Sequence, residues 1–299
     1  MFRSKAEAHN TIVIQNSSTS STGTDQKVDA GASLTRFESK DKGAIAVVNM
    51  SEIYAGYGAT SATRGVFFTD DRSSVVVRDE ITLSEADSTV YSFFLTDTEV
   101  TIAEDGQSAT LTHSSGKQVK MEFTATGTGT ASLGVGPATR ELLGSTSPIT
   151  TAASDDENFY DAENADVNRI YVKMDDAAGE VAITVKLTPV GVKSTSIEEY
   201  NKSIEQWSIA DGERAETPEL IGASIDGRTL NFDSEKQAAF LSVTGQYNTV
   251  PELVVMLDET KYTYQVNHAE SVDGGTTTII VSDKNDASVF STYLLKLRT

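Results

Sequence analysis

The sequence predicts an all-β protein, with a large antiparallel β-sandwich followed by a smaller sandwich. Apolar and polar residues alternate over most of the chain, the helical period is almost absent, and polar turns separate neighbouring segments. Alternation with a period of two is what half-buried antiparallel strands produce. The length of 299 residues is about twice that of a typical domain, which favours two domains.

The clearest strands lie in the first two-thirds of the chain. Residues 119–123, 170–174 and 181–187 each place apolar side chains at every second position. Segments 104–107 and 114–117 contain Gly and polar residues between such runs. Gly in a short polar segment between two alternating runs is a hairpin signal, so antiparallel hairpins are expected here.

The predicted domains are residues 1–195 and residues 217–299, joined by a connector at 196–216. The connector contains the one helix-like segment of the chain, 196–203, in which Ser196 stands where an N-cap is expected. The second domain begins at a Thr-Pro boundary and ends in a strand-like run. It reads as a small β-sandwich.

Composition limits the partners of this chain. The net charge of −20 creates a field that repels nucleic acid, and no apolar run of about 18 residues indicates membrane insertion. Residues 1–42 differ, because six basic and five acidic side chains leave them at +1. An anionic ligand is therefore expected to bind near the N-terminal stretch.

No metal or cofactor motif is found in the sequence. Cysteine is absent, and the three histidines lack the spacing of a zinc site. The acidic run from Asp155 to Asp166 offers oxygen ligands for calcium but lacks the spacing of a known calcium loop. A solvated loop is the alternative reading of that run.

Five segments carry a family resemblance: 2–14, 54–57, 64–68, 74–80 and 203–207. The first contains Ala-His-Asn-Thr before an apolar run, and the others supply a Tyr-x-Gly-Tyr turn and paired strands. Together they resemble the C-terminal β-sandwich region of heparinase II/III-like polysaccharide lyases over about two-thirds of the chain. Residues 217–299 resemble the Ig-like appendages of bacterial carbohydrate-active enzymes, so an Ig-like β-sandwich is expected there.

The resemblance implies β-elimination of uronic-acid polysaccharides, with His9 as the catalytic residue that the sandwich contributes. It also implies a tyrosine from a following loop, which maps onto Tyr54 or Tyr57, and Arg3 and Arg64 are expected to help His9 attract an anionic sugar. The expected substrate-binding residues are Arg3, Asn10, Tyr54, Tyr57 and Arg64. Each residue also has a purely structural interpretation. The histidine is then a surface residue at a strand edge, and the Asn bonds to local backbone. The tyrosines cover the edge of the sandwich, and the arginines lie on a solvent-exposed strand face.

In the resembling family, an N-terminal helical toroid supplies the groups that neutralise the substrate carboxylate and the catalytic Tyr. These 299 residues predict no such toroid, so the chain is expected to be inactive alone, with an anionic polysaccharide and that helical domain as partners. The resemblance implies a secreted or cell-envelope location. The alternative is a non-catalytic carbohydrate-binding or cell-surface structural protein.

Overall fold

The structure is a computed structural model that describes residues 6–17, 26–27, 29–70, 72–138, 166–192, 194–213, 216–233, 237–242, 247–287 and 289–298. Nearly all regular structure in these residues is β, and the strands pair antiparallel with one exception. The prediction of an all-β protein is confirmed. Within the described segments, no helix is long and apolar enough to cross a membrane.

The chain divides into two compact units. The first comprises Met1–Val190 and Ser194–Glu213, and the second comprises Gly191–Lys193 and Arg214–Thr299. Most of the segment expected to be a connector, residues 196–213, therefore belongs to the first unit. The reason is apolar packing by Trp207 and its neighbours, described below.

The first unit is built on one ten-stranded sheet. Its elements are β1 Ile12–Gln15, β2 Ser33–Lys40, β3 Gly43–Asn49, α1 Ser51–Tyr54, β4 Ala59–Thr69, β5 Ser74–Leu83, β6 Ser88–Thr96, β7 Glu99–Ile102, β8 Ser108–Thr112, β9 Gln118–Pro137 and β10 Asn168–Pro189. Short 3₁₀ helices occupy Ala6–Ala8, Ile197–Tyr200 and Ile204–Gln206. The strand order is β2-β3-β4-β5-β10-β9-β8-β7, and β6 pairs with both β1 and β10.

The two long strands β9 and β10 fold this sheet into two layers. β10 pairs with β6 through residues 168–177 and with β5 through residues 180–187, and its register with β9 shifts between these stretches. Gly127 and Gly129 of β9 have φ of +95° and +132° at the bend. A Cβ on Gly127 would lie 2.3 Å from the Glu180 carbonyl oxygen, so only glycine fits this corner.

The main core lies between the two layers. One layer contributes the inward side chains of β1, β6 and residues 170–177 of β10. The other contributes those of β5, β8, residues 121–123 of β9 and residues 181–185 of β10. The largest fully buried members are Ile12, Ile14, Tyr54, Met121, Ile170 and Met174. Because burial of apolar side chains is favourable, the apolar residues of each alternating strand face this core and the polar ones face outward.

The chain after β10 returns across the outer face of β3, β4 and β5. Trp207 is 1% exposed and packs with Tyr200 and Ile204 against the sheet. Gly65 lies under this contact, because a Cβ there would be 2.7 Å from Trp207 Cζ3. The helix-like signal at 196–203 corresponds to the 3₁₀ helix Ile197–Tyr200, whose N-cap Ser196 accepts a hydrogen bond from the Glu198 N–H.

A buried ion pair fastens the start of the same segment. Lys186 Nζ lies 2.9 Å from Asp70 Oδ2, and the Lys186 side chain is fully buried. The N–H and hydroxyl of Thr195 donate to Asp70 Oδ1 at 3.0 and 2.6 Å. Burial opposes ionisation of Asp70, but the Thr195 and Lys186 bonds outweigh it and hold its pKa below the ordinary value.

The second unit consists of two small sheets around their own core. Its strands are β11 Leu220–Ile225, β12 Arg228–Leu230, β13 Ala238–Ser242, β14 Val254–Leu257, β15 Tyr262–Asn267, β16 Thr276–Asp283 and β17 Phe290–Arg298. The sheets have the orders β12-β11-β14 and β13-β17-β16-β15, with β13 and β17 parallel. Assignment of this unit to an Ig-like class stays a prediction.

Candidate functional site

His9 lies in a tight loop between the 3₁₀ helix Ala6–Ala8 and β1. Its N–H donates to the Ala6 carbonyl at 3.0 Å, and its own carbonyl accepts the Thr11 N–H at 2.8 Å. The residue is exposed, whereas the three residues before it and the four after Asn10 are buried. The loop therefore presents the imidazole on a backbone that is packed on both sides.

Asn10 fastens this loop to the neighbouring strand. Its side-chain oxygen accepts the Leu95 N–H at 2.7 Å, at the end of β6. Its backbone carbonyl accepts from Arg64 Nη1 at 2.6 Å. The structural reading of Asn10, as a residue bonded to local backbone, matches these contacts.

Arg64 forms a buried ion pair with Asp79 directly beneath the loop. Nε and Nη2 of Arg64 lie 2.6 and 2.8 Å from the two Asp79 oxygens, and the hydroxyl of Ser92 donates to Asp79 at 2.8 Å. The two side chains are 14% and 1% exposed. Burial disfavours the charged guanidinium, but the carboxylate outweighs it and raises the pKa of Arg64.

These contacts change the role expected for Arg64. A guanidinium has five N–H donors, and three of those on Arg64 already bind Asp79 and Asn10. The charge that was expected to attract an anionic ligand is neutralised by Asp79 within the protein. Arg64 holds the His9 loop in place through Asn10, and its direct contact with substrate is not supported by this geometry.

The expected sugar contact by Tyr54 is wrong, because Tyr54 is 0% exposed. Its hydroxyl donates to the Ile12 carbonyl at 2.8 Å and lies 3.2 Å from the Thr11 hydroxyl. Gln26 donates to both hydroxyls. Burial raises the pKa of Tyr54, so the group stays a neutral phenol that ties α1 to the start of β1.

Tyr57 lies in the turn between α1 and β4 and is 37% exposed. Its N–H donates to the Tyr54 carbonyl at 2.8 Å. The following Gly58 packs against Ile14, since a Cβ there would be 2.6 Å from Ile14 Cγ2. Tyr57 therefore lies near the C-terminal end of β1, whereas His9 lies before its N-terminal end.

Two of the expected features cannot be placed on this geometry. Arg3 lies outside the described residues, and so does the acidic run except for Asp166. In the part of the chain that the structure describes, no group of three or more His, Asp or Glu residues is placed to hold a metal ion.

Asp79 is the residue of this site that sequence reasoning missed. Register pairs Arg64 on β4 with Asp79 on β5, so the two side chains are direct cross-strand neighbours. A signal was present, because Asp79 stands on a face of β5 that otherwise carries apolar residues. An acidic residue on such a face requires a buried partner.

The sequence matches the family described as heparinase II/III-like, C-terminal, over residues 1–186. The chain belongs to this family. The match contains the His9 loop, Tyr54, Arg64 and Asp79, so the geometry described above is that of a heparinase II/III-like C-terminal domain. No curated protein matches the sequence.

Several solved structures are similar to this heparinase II/III-like chain. A heparinase III, the BT4657 gene product with methylated lysines, is 12% identical, with a TM-score of 0.43 and coverage of 98% of this chain and 30% of that one. The heparan sulfate lyase HepC from Pedobacter heparinus is 12% identical, with a TM-score of 0.43 and coverage of 99% and 31%. A further heparinase III is 15% identical, with a TM-score of 0.40 and coverage of 98% and 30%. The chain thus spans less than a third of the length of these structures.

Proposed function

We propose that this chain is the C-terminal β portion of a polysaccharide lyase that cleaves uronic-acid polysaccharides by β-elimination. The observation that carries the proposal is the exposed His9, held on a loop that Asn10 and Arg64 fasten to the sheet. Membership in the heparinase II/III-like family supports the reaction class. The proposed location is outside the cytoplasm, where such polymers occur.

β-Elimination explains why the position of one imidazole matters. The reaction removes the proton on C5 of the uronate and expels the oxygen at C4, so it needs a base, neutralisation of the carboxylate and a proton for the leaving oxygen. A neutral imidazole accepts a proton, and a protonated one pairs with a carboxylate. Fixing such a group in advance removes much of the entropic cost of reaching the transition state.

The remaining catalytic groups are proposed to come from a helical domain. Among the described residues, helix is limited to α1 and three 3₁₀ helices of three or four residues. Tyr54 and Arg64 are committed to contacts inside the protein. Of the described residues expected at the site, His9 combines exposure with a hydrogen-bonded backbone packed on both sides, whereas Tyr54 is buried and Arg64 is paired.

Turnover by the 299-residue chain is the first test. Heparan sulfate and alginate are incubated with it, and unsaturated uronate products are followed by ultraviolet absorbance. We expect no product, because one imidazole without a carboxylate-neutralising group leaves the C5 proton too weakly acidic. Robust turnover would show that no helical domain is needed.

Binding is the second test, by NMR chemical-shift mapping with a short heparan sulfate or alginate oligosaccharide. We expect perturbed amides around His9 and weaker binding by His9→Ala. The matched control is His113→Ala, since His113 is also exposed but lies in the β8–β9 turn. If perturbations lie away from His9, or only neutral glucans bind, a non-catalytic carbohydrate-binding protein is the better interpretation.

A further inference from the structure

The phenol end of Tyr171 lies against a glycine of the neighbouring strand. It pairs with Phe93 on β6 and with Gly134 on β9. A Cβ on Gly134 would lie 2.4, 2.5 and 2.6 Å from Cζ, the hydroxyl oxygen and Cε2 of Tyr171. The phenol end of Tyr171 therefore lies across the backbone of Gly134, where glycine leaves room for it.

Aromatic neighbours hold this ring in place. Tyr91 and Phe93 of β6 stack with 5.4 Å between centroids and 3° between planes. Tyr171 meets both at steep angles, with centroids 5.8 and 5.9 Å away. Edge-to-face contacts of this kind are favourable and directional, and Tyr171 itself stays half-buried. The ring is therefore a rigid, partly solvent-accessible apolar plane.

Polar groups flank the ring along the strand. Lys173 and Asp175 follow Tyr171 on the same face of β10, and their side chains pair at 2.7 Å while remaining 28% and 39% exposed. Exposed Ser132 of β9 stands opposite Lys173. Asp175 balances the charge of Lys173, and the ammonium group has further donors that can bind hydroxyl oxygens of a sugar.

The His9 loop packs on this same face. Arg169 precedes Tyr171 by two residues on β10, and its Nη1 donates to the Glu7 carbonyl at 3.1 Å. Ala6 belongs to the cluster formed by Val13, Tyr91 and Phe93, against which Tyr171 packs. Tyr171 and the segment that carries His9 therefore share one side of one sheet layer.

We propose that Tyr171 is a stacking platform for a pyranose ring of an anionic polysaccharide, in a subsite that lies on the same sheet face as His9. This inference rests on the proposed function and adds a binding position to it. One face of a pyranose is lined by C–H groups, which suits an aromatic ring, while the Lys173–Asp175 pair suits hydroxyl groups on the same sugar. Sites of this type combine an aromatic surface with few, fixed polar groups.

The test is isothermal titration calorimetry of the full 299-residue chain with heparan sulfate and alginate oligosaccharides. We expect Tyr171→Ala to bind about tenfold more weakly, because the stacking surface is lost. Tyr171→Phe keeps the ring and stays within about twofold of wild type. The control is Tyr264→Ala, which removes a tyrosine that is 47% exposed in the second unit and leaves binding unchanged.

The outcomes separate the subsite from the proposed function. Circular dichroism and Trp207 emission establish first that Tyr171→Ala is folded. If Tyr171→Ala then binds like wild type while His9→Ala binds weakly, the subsite is wrong and the function stands. If Tyr171→Phe loses as much affinity as Tyr171→Ala, stacking is not the cause. A wild-type chain that binds neither oligosaccharide overturns both ideas.

Discussion

Breaking the Arg64–Asp79 pair is the sharpest test of how the His9 loop is held. Arg64→Met leaves the Asp79 carboxylate, which is 1% exposed, with Ser92 as its remaining described donor. Removing one partner of a buried ion pair costs about 3–5 kcal/mol, and the Asn10 bond is lost as well. We therefore expect a loss of about 4 kcal/mol.

Trp207 provides the assay. It is the one tryptophan of the chain and is 1% exposed in the first unit, so its fluorescence reports unfolding of that unit. With a urea m-value of about 2–3 kcal/mol/M, the midpoint falls by about 1–2 M in Arg64→Met. Amide hydrogen exchange of Thr11, whose N–H binds the His9 carbonyl, speeds up in parallel.

A surface pair supplies the control. Lys120 and Glu122 pair at 2.7 Å with side chains 48% and 28% exposed, so Glu122→Gln should change stability by less than about 1 kcal/mol. Replacing both buried partners, as Arg64→Met with Asp79→Leu, should cost less than Arg64→Met alone. The reasoning is refuted if Arg64→Met stays within about 1 kcal/mol of the Glu122→Gln variant.

Three further outcomes are expected. The pKa of Asp70 lies below its ordinary value of 3.8, so ionised Asp70 stabilises the folded state above that pH. This stabilisation is lost as the pH falls through the lowered pKa. The urea midpoints of wild type and Asp70→Asn should therefore converge below pH 3.8, and a constant difference between them would contradict this. Gly65→Ala should destabilise the first unit by about 1–3 kcal/mol through overpacking against Trp207, whereas Gly31→Ala, with nothing within 4 Å of the new methyl, should be neutral by Trp207 fluorescence. Residues 214–299 expressed alone should unfold cooperatively with a β-type circular dichroism spectrum, since that unit has its own core, and a disordered product would show that it depends on the first unit.

The alternating ladders allowed the fold class to be predicted from the sequence. Residues 181–187 form part of β10, and the turn at 114–117 joins β8 to β9 as expected. Local periodicity and turn chemistry are enough for such features, because each depends on neighbours in sequence. The folding of the sheet at Gly127 was not predictable in this way, since it depends on the distant Glu180 carbonyl.

The site was less predictable, because exposure is set by long-range packing. Tyr54 stands before small residues in a turn, which is compatible with a surface aromatic, yet β1 closes over it. The role of Asp79 depends on the strand register, which places it opposite Arg64, fifteen residues away in the sequence. In the expected connector, Trp207 is a large apolar side chain in a polar segment, and such a side chain requires a surface to cover it.

The continuous path of β10 through both layers has a consequence for how the first unit folds. Its second half pairs with β5, so that Leu187 meets Val75 across more than a hundred residues of chain. Neither layer is complete until this strand is placed, because β6 and β5 both depend on it. Pairings of such long sequence separation close slowly. During synthesis, β1 to β8 emerge well before their central strand, and their unpaired edges are open to other chains until β10 arrives.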